Sequence, residues 1–306
     1  MSALPEQTEG SDNDSQEVQP ATDVDIYRFD LNGYLVLRNA VATEDVAAMN
    51  AILDRYFYLD PPLQRGEWHG YLQAHTYIGC ADLNLQQIYE AGEPFERLID
   101  HPSWIEKVKY FVGGAGTFDY YHGPLFIDEN FANIRGPGDA IGLHSGGETG
   151  TKRTQFRFHN GHFQCGEINI LLALTDIGPG DGATMVIPGS HKSHFPHYEV
   201  AKYQMSADEV TSVDGVPEAI EVHLQAGDAI LFVDAISHGS ARRVNPGERR
   251  NLVYRYGPSW GNFHHPYYPS QELLERLTEE RRNIVLPRRP IKREPNRVPG
   301  TPNPPL

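Results

Sequence analysis

A chain of 306 residues is long for one average domain and suits a single large β-rich enzyme domain with appendages. Its formal charge of −15, from 41 Asp and Glu against 26 Lys and Arg, argues against a broad polyanion-binding surface, and so against nucleic acid as the main partner. The two cysteines, Cys80 and Cys165, can build neither a disulfide framework nor a thiolate metal cage, which suits a reducing compartment. No apolar run approaches the ~18 residues of a membrane span and the first residues form no basic or apolar leader, so a soluble, cytoplasmic protein without a membrane partner is expected.

In chain order, residues 1–25 hold seven acidic residues and no basic one among Ser, Thr, Gln and Pro. Such a composition buries too little apolar surface to offset chain entropy and predicts a disordered tail. The folded unit is expected over residues 26–286. Tyr34-Leu35-Val36-Leu37 reads as a strand. Thr43 then begins a helix with Glu44 and Asp45 in its first turn and Val46, Met49, Leu53 and Tyr56 on one face. A second helix is predicted from Trp104 to Val112. The middle of the chain has a different cadence. Phe118 to Phe126, Gln155 to Phe163, Ile168 to Leu174, Ala183 to Ile187, Ile220 to Leu224, Ala229 to Val233 and Asn251 to Tyr256 are short apolar or aromatic runs separated by Gly, Pro and Asp clusters. That spacing predicts an antiparallel β-sandwich or barrel. Gln225-Ala226-Gly227-Asp228 and Asn245-Pro246-Gly247-Glu248 carry turn chemistry. Ser270 to Val285 is predicted as one helix, and residues 287–306, with seven prolines and a basic cluster, as a solvated extended tail. The fold class these elements imply is mainly β, a jelly roll with flanking N-terminal and C-terminal helices.

Of 14 histidines, most are expected to be surface or satisfied core residues, and His69, His75, His101, His264 and His265 are assigned no role. His144 and His238 are better placed. His144 closes the strand-like Ile141-Gly142-Leu143-His144 ahead of Ser145-Gly146-Gly147-Glu148, and His238 follows the strand Ala229 to Val233 in Ser237-His238-Gly239-Ser240. Two neutral imidazoles from separate strands at one sandwich mouth fit a divalent iron, zinc or copper ion. Asn169 shares a strand face with Glu167 and Leu171, where its amide would bind either a ligand or a buried backbone group. His191 is expected to serve the hydrogen bonds of its own loop, and Arg242 with Arg243 to lie on a solvated hairpin. Arg157 to Phe163 fits either a substrate pocket or a half-exposed strand. The loops Pro61 to Tyr71 and Arg135 to Gly142 are expected to shape a pocket for a small-molecule substrate.

Four further segments complete a pattern. They are Leu174-Thr175-Asp176 with Gly180-Asp181-Gly182, the loop Ile187-Pro188-Gly189-Ser190-His191-Lys192-Ser193, Ala226-Gly227-Asp228 leading to His238-Gly239, and Arg249-Arg250-Asn251-Leu252-Val253-Tyr254-Arg255-Tyr256. In order and spacing they resemble the phytanoyl-CoA dioxygenase-like branch of the iron(II)- and 2-oxoglutarate-dependent oxygenases over about residues 26 to 260. The resemblance implies a double-stranded β-helix, cupin-like in form. It also implies iron(II), 2-oxoglutarate and O2 as cofactors and cosubstrates. The iron would be held by a His-x-Asp pair and a later His, which map here to His144 and His238, and the distal carboxylate of 2-oxoglutarate by an Arg that maps to Arg249; the ligand Asn169 would bind, if not a buried backbone group, is then 2-oxoglutarate. Arg250 faces the other side of its strand by period-two alternation.

The departure lies at the third ligand. Positions i and i+2 of a strand point the same way, so the residue that would complete the triad is number 146, and it is Gly146. No His-x-Asp occurs in the chain, and the one His-x-Glu, His197-Tyr198-Glu199, lies just past the Pro-Gly-Ser-His loop. Three outcomes follow. The vacant position could take chloride, as in the non-haem iron halogenases, which this feature resembles, and the enzyme would then chlorinate a C–H bond; this is the leading expectation. In the second outcome, Glu148 or water completes the shell and the enzyme hydroxylates, the glycines before Glu148 letting the backbone fold back. In the third, the domain is a catalytically silent small-molecule binding module.

Overall fold

The computed structural model describes residues 18–75, 83–113, 125–146, 155–206, 210–258 and 268–286. Helix α1 (Asp23–Asn32) opens on a reciprocal cap: Asp25 N donates to Thr22 Oγ1 at 3.2 Å and Thr22 N to Asp25 Oδ2 at 3.1 Å. The helix therefore begins before the boundary expected at residue 26, and Lys107 Nζ, 3.0 Å from Asp25 Oδ2, pins it to the fold. The strand β1 (Tyr34–Leu37) and helix α2 (Thr43–Phe57) stand where apolar spacing put them, with Val46, Met49 and Leu53 buried.

Three short strands follow, β2 (Trp68–His69), β3 (Leu72–His75) and β4 (Asn84–Gln86), then α3 (Glu93–Glu96) and α4 (Ile105–Val112). These strands were not legible in the sequence, because Asn84 and Gln86 put polar side chains on an inward face. Strand β5 (Phe126–Arg135) starts at the last residue of the run expected over Phe118 to Phe126, whose residues 118–124 lie outside the described set. Next come β6 (Ile141–His144), the hairpin β7 (Phe158–His159) and β8 (His162–Phe163), β9 (Ile168–Ala173), β10 (Thr184–Val186), α5 (Val200–Tyr203), β11 (Ile220–Val222), β12 (Ala229–Val233), β13 (His238–Ser240) and β14 (Arg249–Gly257). The continuous strand expected over Gln155 to Phe163 is instead folded back at Asn160-Gly161, both at positive φ, the signature of a two-residue hairpin turn.

The C-terminal helix is two helices, α6 (Gln271–Arg276) and α7 (Glu279–Val285). Thr278 accepts from Arg281 N and restarts the helix, just as Ser270 accepts from Leu273 N to start the first.

The strands form an eight-stranded sheet, in the order β1-β12-β9-β14-β5-β4-β3-β2, facing a four-stranded sheet, β11-β10-β13-β6, with all pairings in both antiparallel. This is the expected mainly-β jelly roll with flanking helices. Period-two alternation sorts β14 into two faces. Leu252, Tyr254 and Tyr256 turn outward onto the helices, where Tyr254 Oη donates to Phe95 O at 2.8 Å and Tyr256 Oη to Leu98 O at 3.0 Å. Arg249, Asn251, Val253 and Arg255 therefore point between the sheets. Among the described residues no helix is long and apolar enough to cross a membrane. Cys165 is buried and unbridged, its thiol pushed up to about 12 by burial.

Candidate active site

His144 ends β6 and His238 begins β13, and the two are direct partners across that antiparallel pair. Their ring centroids lie 4.1 Å apart at an interplanar angle of 53°. Each ring spends one nitrogen on the backbone two residues earlier: His144 Nδ1 lies 2.9 Å from Gly142 O, and His238 Nδ1 2.7 Å from Ile236 O. With Nδ1–H donating to a carbonyl, Nε2 keeps its lone pair, which is the tautomer a metal ligand needs. Burial and then the neighbouring His144 push the His238 imidazole down to about 3, so it is neutral around pH 7. Gly239 makes this closeness possible, since a Cβ there would stand 2.5 Å from Ile141 O.

One strand-face step from His238 along β13 is Ser240, paired across to Thr184 of β10. Two residues of strand rise about 7 Å. At that level two buried arginines reach across from the larger sheet. Arg249 Nη2 donates to Thr184 Oγ1 at 2.9 Å, and Arg135 Nη1 to Ser240 Oγ at 2.9 Å; the two are direct partners across β14 and β5. With the Asn251 amide turned so that its oxygen faces Arg249, that oxygen accepts from Nε at 3.1 Å and Nη2 at 2.7 Å. Among the described residues Arg249 makes no ion pair, although it is only 3% exposed. Arg250 lies on the other face, paired at 2.6 Å with both Asp54 and Glu248.

Beyond the histidines the interior stays polar. Asn169 on β9 donates from Nδ2 to Asp234 Oδ1 at 2.9 Å, and its own Oδ1 is buried without a hydrogen bond. Burial raises the Asp234 carboxyl, but Arg255, His238, the Asn169 amide and His144 together hold it below the usual carboxylate range. Arg255 bridges Glu129 at 3.2 Å and Glu167 at 3.4 Å. Gly146 N donates to Asp234 O at 2.9 Å. Glu148 lies outside the described residues. Among those described, no three His, Cys, Asp or Glu side chains are arranged to hold a metal ion.

Other candidates fall elsewhere. His197 lies against Glu218 at 3.3 Å, stacks on Tyr198 and accepts from the Glu199 backbone N at 3.1 Å through Nδ1. His191 lies 3.1 Å from Asp30 O through Nε2, tying its loop to α1. Arg243, expected on a solvated hairpin, is buried, donating to Asp181 O at 3.1 Å and Pro246 O at 2.7 Å, because the 245–248 turn folds over it; Arg242 is exposed as expected. Phe158, His159 and His162 lie on the exposed hairpin. Sequence reasoning missed Arg135 and Asp234. Alternation along β5 would have put Arg135 on the interior face had the strand been read as running to residue 135.

The profile of the phytanoyl-CoA dioxygenase (PhyH) family matches residues 29–251. The chain thus belongs to that family, and so to the non-haem iron(II)- and 2-oxoglutarate-dependent dioxygenases. It is 24% identical over 246 residues to an ectoine dioxygenase of Stutzerimonas stutzeri (strain A1501), covering 76% of this chain and 75% of that protein. It is 30% identical over 129 residues to the dioxygenase cdmD of Talaromyces verruculosus, a match spanning 39% of this chain and only 35% of that one. In fold it is similar to HygX from Streptomyces hygroscopicus, solved with nickel and 2-oxoglutarate bound, at a TM-score of 0.62 and 24% identity, covering 82% of this chain and 93% of that one.

Proposed function

We propose that the protein hydroxylates a C–H bond of a small polar molecule, using iron(II) at His144 and His238 and 2-oxoglutarate at Arg249. The observation that carries this reading is the juxtaposition of two tautomerically committed imidazoles with a buried guanidinium, two strand residues away, that has no carboxylate of its own among the described residues. A buried cation without an anion is costly, and a dicarboxylate reaching down from the histidines would relieve that cost. The residues therefore fit both groups. When bound, iron(II) with 2-oxoglutarate supplies the oxidising chemistry, in which O2 is divided between the cosubstrate and the C–H bond.

The chain does the rest. Arg249 would receive the distal carboxylate through Nη1, while Thr184 on Nη2 and the Asn251 oxygen on Nε and Nη2 hold the guanidinium in plane. Arg135 adds a second positive charge at the same level. Phe232, its ring 5.0 Å from that of His238, walls the imidazole off from water. The polar interior beyond the histidines, with Arg255, Glu129 and Glu167, supports a polar rather than a fatty substrate.

Hydroxylation takes precedence over the chlorination suggested by Gly146 because the relatives named above are dioxygenases. The test is anaerobic titration of iron(II) and 2-oxoglutarate, followed by exposure to O2 with and without chloride. The expected result is a charge-transfer band and succinate formation, both insensitive to chloride and both lost in His144→Ala and His238→Ala. Chloride-dependent tightening of the complex would restore the halogenase reading, and a chain that binds neither metal nor 2-oxoglutarate would favour a silent binding module.

A further inference from the structure

Resting on that reading of the metal centre, we propose that Asp234 is the positioning carboxylate of the site, supplying from the larger sheet the negative charge that position 146 cannot. Asp234 follows the last residue of β12, two positions after Phe232 and so on the same interior face, and the Phe232 ring already touches His238. The chain leaving His144 is stitched to the chain around Asp234: Gly146 N donates to Asp234 O at 2.9 Å, and Ser145 Oγ donates to Ala235 O at 2.7 Å. The place where a side chain at 146 would begin is therefore beside Asp234.

The carboxylate itself is 7% exposed and makes no ion pair among the described residues. Its one side-chain hydrogen bond among them comes from Asn169 Nδ2, whose partner oxygen is buried and unbonded. The nearby Arg255 is already engaged by Glu129 and Glu167. Arg255, which holds this carboxyl low, is thus shared with other carboxylates, and a divalent ion on the two imidazoles would be a second cation close by. Two imidazole ligands bring no negative charge and lack the anionic ligand of the usual triad, so the charge deficit on one sheet and the charge surplus on the other answer each other across the mouth of the barrel. Asp234 acts here without bonding the metal, since no three-donor set is formed with it among the described residues. An anion such as chloride at the vacant position would sit against this carboxylate and be repelled by it.

The test uses the full chain and cobalt(II) alone, followed by calorimetry and the visible absorption of the bound ion. Asp234→Asn keeps the size and the hydrogen-bonding capacity of the side chain and should weaken cobalt(II) binding by about tenfold or more, as loss of an outer-shell partner does. Gly146→Asp should recover most of that loss in the double variant, which a merely structural role of Asp234 would not allow. In the wild-type background, Gly146→Asp should change cobalt(II) affinity little, because the charge is already present; this arm stands even if Asp234→Asn fails to fold. Unchanged cobalt(II) affinity in a folded Asp234→Asn variant would overturn the proposal, as would a large gain on adding Gly146→Asp alone, or loss of binding in Glu148→Gln with Asp234→Asn unaffected. A wild type that binds cobalt(II) with any of these results leaves the proposed function standing, whereas a wild type that binds no metal overturns that function as well.

Discussion

Arg249 and Arg250 are adjacent in the chain and opposite in environment. Arg249 is wrapped by a hydroxyl and an amide, whereas Arg250 has two carboxylates and the Phe57 ring, 5.7 Å from its guanidinium carbon. Arg249→Leu is expected to weaken 2-oxoglutarate binding by roughly 2 to 5 kcal/mol, since the bound carboxylate would lose a buried charged fork. Arg250→Leu should leave that affinity unchanged and lower stability by about 1 kcal/mol, because its partners are partly solvated. Titration calorimetry in the presence of nickel(II), together with urea unfolding, separates the two effects. Equal losses of affinity would show that the cosubstrate does not use the interior face of β14.

Elements meet one another through glycines where backbone or ring must approach closely. Gly33 caps α1 at φ +83°, and a Cβ there would stand 2.5 Å from His191 Nδ1. Gly33→Ala should therefore cost about 1 to 2 kcal/mol for the left-handed backbone alone, and more for displacing the imidazole that ties the 187–193 loop to α1. Urea unfolding of the variant checks this, and wild-type stability would contradict it. Gly239 has a different role, because its backbone is not left-handed but its missing side chain lets β13 lie against β6. Gly239→Ala is expected to push His144 and His238 apart and to weaken cobalt(II) binding while the larger sheet stays paired, which calorimetry and circular dichroism together would show.

The acid response of the whole molecule draws on two buried histidines that are not among the proposed metal ligands. His101, stacked on Trp104 at 4.4 Å, is pushed down to about 4 by burial and then by Arg97 and Arg281. His191 is likewise pushed down to about 4, by burial against its own backbone bond. In the folded chain both rings stay neutral until about that pH, while unfolded imidazoles take up protons near 6.5, so the unfolded state binds more protons in between. Stability should fall as pH drops from about 6.5 to about 4, by up to about 1.4 kcal/mol per unit for each ring, and His101→Gln or His191→Gln should each flatten the slope of the urea midpoint against pH.

Much was legible without coordinates wherever the cause is local. Apolar spacing placed α2, Gly227 and Gly247 marked their turns, and sequence context and family resemblance singled out His144, His238 and Arg249 as candidates. Two more local causes lie in the chain without an apolar rhythm to announce them: the Asn160-Gly161 hairpin turn, and the cap by which Thr278 divides the C-terminal helix in two. Nothing local could have paired Arg135 with Ser240, 105 residues away, or brought Asp234 beside Gly146. Alternation along a strand says which side chains share a face, but it carries no information about which strand lies opposite. That choice is made by the register of β5 on β14 and of β6 on β13, and only the folded sheets, burying both faces at once, decide it.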